Sequence, residues 1–96
     1  MSNDALYLLI QSLGAQVLEH QRNPSGSLAI LMSETLKFRD KLKEETGQIL
    51  TVEDTRRALD GLEQCLDGRP MPSGLTPEQQ LLAQIWLDRL TLFKGK

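Results

Sequence analysis

His20 and Cys65 are the single histidine and the single cysteine of this chain, and the only candidates for imidazole or thiol chemistry. His20 falls at the end of an apolar helical stripe, where a packed or capping histidine is the expectation. Cys65 flanks a later stripe and reads as a small core residue. A zinc site built on one His and one Cys would need carboxylates to complete it, and no ligand spacing supports that. No metal and no cofactor is therefore expected. Carboxylates do occur in pairs and near-pairs, at Glu44-Glu45, Glu53-Asp54, Asp60 and Glu63. Nothing in their spacing places two of them in one pocket, and Glu53 and Asp54 are explained by the start of a helix. The Glu-x-x-His arrangement of di-iron bundles is absent, because Arg22 stands three residues after Glu19. "NPSGS", residues 23–27, lacks the Gly-Lys-Ser/Thr ending of a phosphate loop. No catalytic residue is assigned, and the expectation is a protein that is not an enzyme.

"KFRDKLK", Lys37 to Lys43, is the densest basic run. On a helix its cations spread over different faces, interleaved with Asp40, Glu44 and Glu45, which reads as a solvated surface. Net charge is −2 with both signs interspersed, so no general field draws nucleic acid or an anionic membrane. A nucleic-acid-binding regulator is a runner-up only, since neither of the last two helices carries exposed basic and amide residues to read a groove. The single cysteine fits a reducing compartment. The early apolar run Leu8-Leu9-Ile10 is far shorter than the roughly 20 residues of a membrane span. "MSNDAL" lacks the basic start of a signal peptide. A cytosolic location, away from membranes, is expected.

Helices must position whatever the chain uses. Nineteen of the 96 residues are leucine, whereas valine occurs only at 17 and 52 and aromatics only at Tyr7, Phe38, Trp86 and Phe93. That composition favours packed helices over sheet. The spacing predicts an all-α single domain over 1–96, with four helices near 4–22, 28–46, 52–67 and 77–93, in an up-down bundle or a close variant. The first carries Leu6, Leu9, Ile10, Leu13 and Val17 on one stripe, with Gly14 beside it as a place for a close helix crossing. The second carries Leu28, Leu31, Met32, Thr35, Phe38 and Leu42, and Gly47 ends it. Thr51 and Asp54 open the third as a variant capping box, followed by the seam Val52, Thr55, Leu59, Leu62 and Leu66. Thr76-Pro77-Glu78-Gln79 is the strongest start signal in the chain. The helix after it is apolar over most of its girth, which predicts burial on more than one side. A basic tail, 94–96, closes the chain.

The connector 68–76 is longer than the usual link of about 2–8 residues between helices. Two readings compete. It is a geometric path, with Met71 or Leu75 folding back as a small lid, or it is an extended docking loop formed by Arg69, Pro70, Met71 and Pro72. Together with Trp86 and Phe93 on the last helix, these four are the candidate partner-binding residues. The expected function is protein–protein interaction, as an adaptor, a chaperone-like subunit or an inhibitor of a larger protein. A phage-encoded or accessory modulator of a host enzyme is one form this could take. A self-associating helical dimer is the other alternative.

Overall fold

The computed structural model describes residues 2–22 and 26–94, with side chains for 5–22 and 26–91. It contains helices and no strand among the described residues. Helix α1 (Ser2–Leu9), a π-helical turn (Ile10–Gly14) and α2 (Ala15–His20) form one unbroken rod, because Leu9, Gly14 and Ala15 all hold right-handed helical dihedrals. Three more rods follow: α3 (Ser27–Thr46), α4 (Val52–Leu66) and α5 (Pro77–Lys94). These are the four expected helices, with ends shifted by one or two residues. Of the expected loop and tail, residues 23–25, 95 and 96 lie outside the described residues.

The π turn changes which residues the first rod buries. It fits an extra residue into one turn, so the residues after it rotate relative to a regular α pattern. Leu6, Ile10, Val17 and Leu18 are buried, although the regular stripe omits Leu18, and Leu13 is only half-buried. Gly14 provides the close crossing expected of it: a Cβ there would lie 3.3 Å from Leu31 Cδ1 and 3.3 Å from Ile10 Cγ2.

The ends of the other rods follow local rules. Gly47 closes α3 in the left-handed region, its N–H donating to Lys43 O at 2.9 Å. Gly68, at φ +85°, closes α4. Gly68 N–H donates to Cys65 O and Arg69 N–H donates to Gln64 O, so carbonyls of the last turn find partners in the chain that leaves the helix. At the start of α4, Asp54 N–H donates to Thr51 Oγ1 and Thr51 N–H donates to Asp54 Oδ2. At the start of α5, Gln79 N–H donates to Thr76 Oγ1 and Thr76 N–H donates to Gln79 Oε1. Val52, expected in the α4 seam, is instead exposed at the first turn, while Thr55, Ala58, Leu59 and Leu62 are buried.

The two capping boxes touch. Gln79 Nε2 donates to Asp54 Oδ1 at 2.9 Å, which ties the N-terminus of α5 to the N-terminus of α4. Farther along, a Cβ on Gly61 would lie 3.5 Å from that of Ala83. Both helices therefore advance in the same direction. α3 runs the other way, since Thr46 meets Pro77 at one end of α5 and Glu34 meets Arg89 at the other. The first rod also opposes α3, with Gly14 against Leu31, and Leu6 beside Thr35 and Leu36. The order is up, down, up, up, a variant of the up-down bundle that differs at its last step.

That step explains the long connector. The fifteen residues of α4 rise about 22 Å, and the chain must return that distance before α5 can start beside it. Residues 67–76 supply the path, with a reach of about 33 Å if extended. The path lies against the bundle. A Cβ on Gly61 would fall 2.9 Å from Leu75 Cδ1 and 3.1 Å from Met71 Sδ. Glycine at 61 is thus what lets the connector seat, with Leu75 buried and Met71 half-buried on the core.

α5 packs on α4 along one side and α3 along another, which is why its apolar residues exceed a single stripe. Leu82, Ala83, Trp86 and Leu90 are buried. Trp86 Nε1 donates to Leu31 O at 3.3 Å and Thr35 Oγ1 at 3.2 Å, and the Thr35 hydroxyl donates to Leu31 O at 2.6 Å. The indole N–H thus has partners inside the core, as a buried tryptophan requires.

Candidate functional site

α3 and α5 do not close completely on their outer side. A groove of about 370 Å³ runs between the C-terminal half of α3 and the N-terminal half of α5. Phe38, Leu42, Leu81 and Ile85 form its apolar surface, and Lys41, Glu45 and Glu78 form its rim. Leu81 is 55% exposed, which leaves most of one leucine side chain in water on a regular helix. Ile49, 70% exposed in the short turn that joins α3 to α4, and Val52, the first residue of α4, lie at the same end of the bundle. A second apolar area, Tyr7 and Leu8 beside Met32, lies between α1 and α3 and is shallow. The groove differs from it in having a floor, provided by buried Phe38 and half-buried Ile85.

The six candidate partner residues do not form one surface. Arg69 and Pro70 are exposed on the connector, Pro72 is half-buried, and Met71 turns its sulfur toward Gly61. Met71 is the small lid of the geometric reading. Trp86 has 0% exposure, and its assignment as a partner-binding residue is corrected on that ground: a side chain with no accessible surface in the folded chain offers a partner nothing. The apolar girth of α5 is compatible with a core or an interface role for Trp86, and its burial between α3 and α5 decides for the core. Phe93 lies in the last turn of α5, with its side chain outside the described residues. Leu81 and Ile49 were not among the candidates. The signal for Leu81 was present in the excess apolar girth of α5, whereas Ile49 is one apolar residue in a turn and carries no pattern.

The titratable groups are dispersed. Among the described residues no three His, Cys, Asp or Glu side chains come together closely enough to hold a metal ion. His20 is exposed at the end of α2, where packing or capping was expected, and Cys65 is half-buried on α4. In the basic run, Lys37 approaches Glu34 at 3.8 Å and Arg39 pairs with Asp40 at 2.9 Å. Among the described residues, Asp54 is the one side chain whose environment shifts it clearly. Burial raises its pKa, but the hydrogen bonds from the Gln79 side chain and from the Thr51 backbone and side chain outweigh burial and hold the carboxyl below its ordinary value. Those partners are cap residues, so the shift belongs to the α4–α5 junction. No helix among the described residues is long and apolar enough to cross a membrane. Comparisons of the chain with family models, with curated proteins and with solved structures give no match.

Proposed function

We propose that this protein acts by binding another protein through the α3–α5 groove, without chemistry of its own. The observation that carries the reading is Leu81, more than half exposed above an apolar floor of Phe38, Leu42 and Ile85. A regular helix normally turns such a residue inward. Scattered exposed apolar side chains are ordinary, but here they share a concave strip with a mixed-charge rim. An apolar centre within a polar rim is the usual arrangement of a protein interface. A groove between two antiparallel helices accepts the apolar face of a further helix. An adaptor, a chaperone-like subunit and an inhibitor would all use it in this way.

The test compares three forms of the protein as bait in its native cell extract: wild type, Leu81→Asp and Leu8→Asp. Both substitutions replace an exposed leucine, and circular dichroism and melting would check that each folds as the parent does. The expected result is a protein retained by wild type and by Leu8→Asp and lost with Leu81→Asp, with at least tenfold weaker binding when the pair is reconstituted. Equal retention by all three forms overturns the groove reading.

A further inference from the structure

We infer that Met71 is a site of reversible sulfur oxidation, at which a peroxide releases the connector from α4. A methionine thioether is apolar, whereas its sulfoxide is polar, so oxidation disrupts an apolar contact made by the sulfur. What singles out Met71 is where its sulfur rests. A Cβ on Gly61 would lie 3.1 Å from Met71 Sδ, so the sulfur itself sits on the bare surface of α4. Gly61 is buried beneath it, yet Met71 is only half-buried, and Arg69, Pro70, Ser73 and Gly74 around it are exposed. The side chain therefore keeps surface in water that a small oxidant can meet. Met32, also half-buried, lies on α3 in the shallow area beside Tyr7 and Leu8. Its helix is held by its own backbone bonds, so a sulfoxide there has no comparable leverage.

The connector depends on that contact. Among the described residues, the backbone N–H groups of Met71, Ser73, Gly74 and Leu75 find no backbone acceptor, and Pro70 and Pro72 have no N–H to offer. Met71 and Leu75, both seated at Gly61, hold the path on the bundle instead. The two prolines fix φ on either side of Met71, so this part of the path moves as a stiff unit. In the reaction a sulfur lone pair attacks the peroxide, the O–O bond breaks, an S–O bond forms and water leaves. Sulfur is oxidised and the peroxide reduced. The sulfoxide oxygen then needs a donor that the seat lacks. The N–H groups of Gly61 and Ala83 are engaged inside α4 and α5, and Leu75 presents a methyl group. A polar atom buried without a partner is costly, so the side chain turns to water and the connector lifts. α5 stays in place, because its start is held separately by Thr76 and by Gln79 on Asp54. Release uncovers the apolar seam where Gly61 meets Ala83. A methionine sulfoxide reductase, supplied with a dithiol, removes the oxygen as water while the dithiol becomes a disulfide, and the seat re-forms.

The test treats the full chain with hydrogen peroxide, maps the added oxygen by mass spectrometry and follows cleavage of the connector by a protease that is not blocked at the Arg69-Pro70 bond. Wild type is expected to gain oxygen at Met71 and to be cut at least about tenfold faster there, since cleavage tracks the population of the open connector. Helix content by circular dichroism should not change. Reductases for both sulfoxide epimers, with dithiothreitol, should restore slow cleavage. Met71→Leu keeps an apolar anchor and retains Met32 and Cys65, so its cleavage should not respond to peroxide. Met32→Leu should respond as wild type does. Met71→Gln, polar without any oxidant, should be cut fast before treatment. A Met71 left unmodified by a dose that oxidises free methionine overturns the site. Oxidised Met71 with unchanged cleavage overturns the release, as does Met71→Gln cut as slowly as untreated wild type. Met71→Leu that responds like wild type moves the effect to Met32 or Cys65 and overturns the assignment. Loss of helix on oxidation, or fast cleavage that the reductases do not reverse, overturns a reversible release confined to the connector.

Discussion

Trp86 and Thr35 tie α5 to α3 from inside. The indole N–H has two acceptors, Leu31 O and Thr35 Oγ1, and the Thr35 hydroxyl itself donates to Leu31 O. Replacing the whole side chain and replacing only its donor should therefore have different consequences. Trp86→Ala leaves a large cavity and is expected to cost about 3–5 kcal/mol, most of the stability of a marginal domain. Trp86→Phe keeps much of the ring volume and removes the donor. The Leu31 carbonyl retains Thr35, so the expected cost is only about 1–2 kcal/mol. Urea melts of the two variants check the ordering. A second local device is Asp54. Because its folded pKa is depressed, it releases its proton at lower pH in the folded chain than in the unfolded one. Its contribution to stability is complete above the unfolded value of about 3.9 and is lost as pH falls through the lower folded value. Asp54→Asn should be less stable than wild type at pH 7 by about 1 kcal/mol, and the gap should close as acid protonates wild-type Asp54. Melting both proteins at pH 7 and at strongly acidic pH measures this, and a gap that widens in acid contradicts it.

Helix α4 and the connector behave as one unit because of Gly61. The glycine weakens the helix by about 1 kcal/mol relative to alanine, yet the surface it leaves open is where Leu75 and Met71 seat. Gly61→Val would place branched atoms where Leu75 Cδ1 and Met71 Sδ now lie. The expected outcome is a loss of about 1–3 kcal/mol from forced repacking, with faster proteolysis of the connector as it lifts. Limited proteolysis should use an enzyme that is not blocked at the Arg69-Pro70 bond. A stabilised variant with a protected connector would show that the seat is unimportant. The π turn in the first rod is the other device of this kind. It rotates the second half of the rod so that Leu18 joins Val17 in the core.

The bundle as a whole depends on three rods running one way and one running back. α4 and α5 are parallel neighbours held at their starts by Gln79 and Asp54. A return path of about 22 Å is then obligatory. Deleting residues 70–74 would leave five connector residues, with a reach of about 17 Å. The native arrangement cannot close over that span. Such a variant is expected to lose its cooperative melt or to swap α5 into a second chain, which circular dichroism and sedimentation would separate. A variant that remains a native-like monomer would show that α4 and α5 are not parallel. Exchanging Arg69 and Pro70 for Ser, by contrast, preserves length and removes only exposed side chains, so the melt should stay within about 0.5 kcal/mol of wild type.

Helix number, type and ends were legible in the chain because each depends on neighbours close in sequence. Gly47 and Gly68 mark C-termini through a backbone conformation that other residues resist, and Thr51-Asp54 and Thr76-Gln79 mark N-termini through hydrogen bonds three residues apart. The apolar stripes that pick out Leu31, Phe38, Leu59 and Leu62 as core follow from the same short-range periodicity. What is decided between rods was not legible. Nothing near Gln79 in sequence reveals that its amide reaches Asp54, so the parallel pairing of α4 and α5 stayed hidden, and the long connector remained open to two readings. The polar strip Gln80, Gln84, Asp88 and Thr91 sets Trp86 on the side away from water, but it does not reveal that Leu81, on the flank of that strip, is left uncovered. A helix wheel gives angles between side chains of one helix. Only the positions of α3 and α4 around α5 turn those angles into a core and a groove.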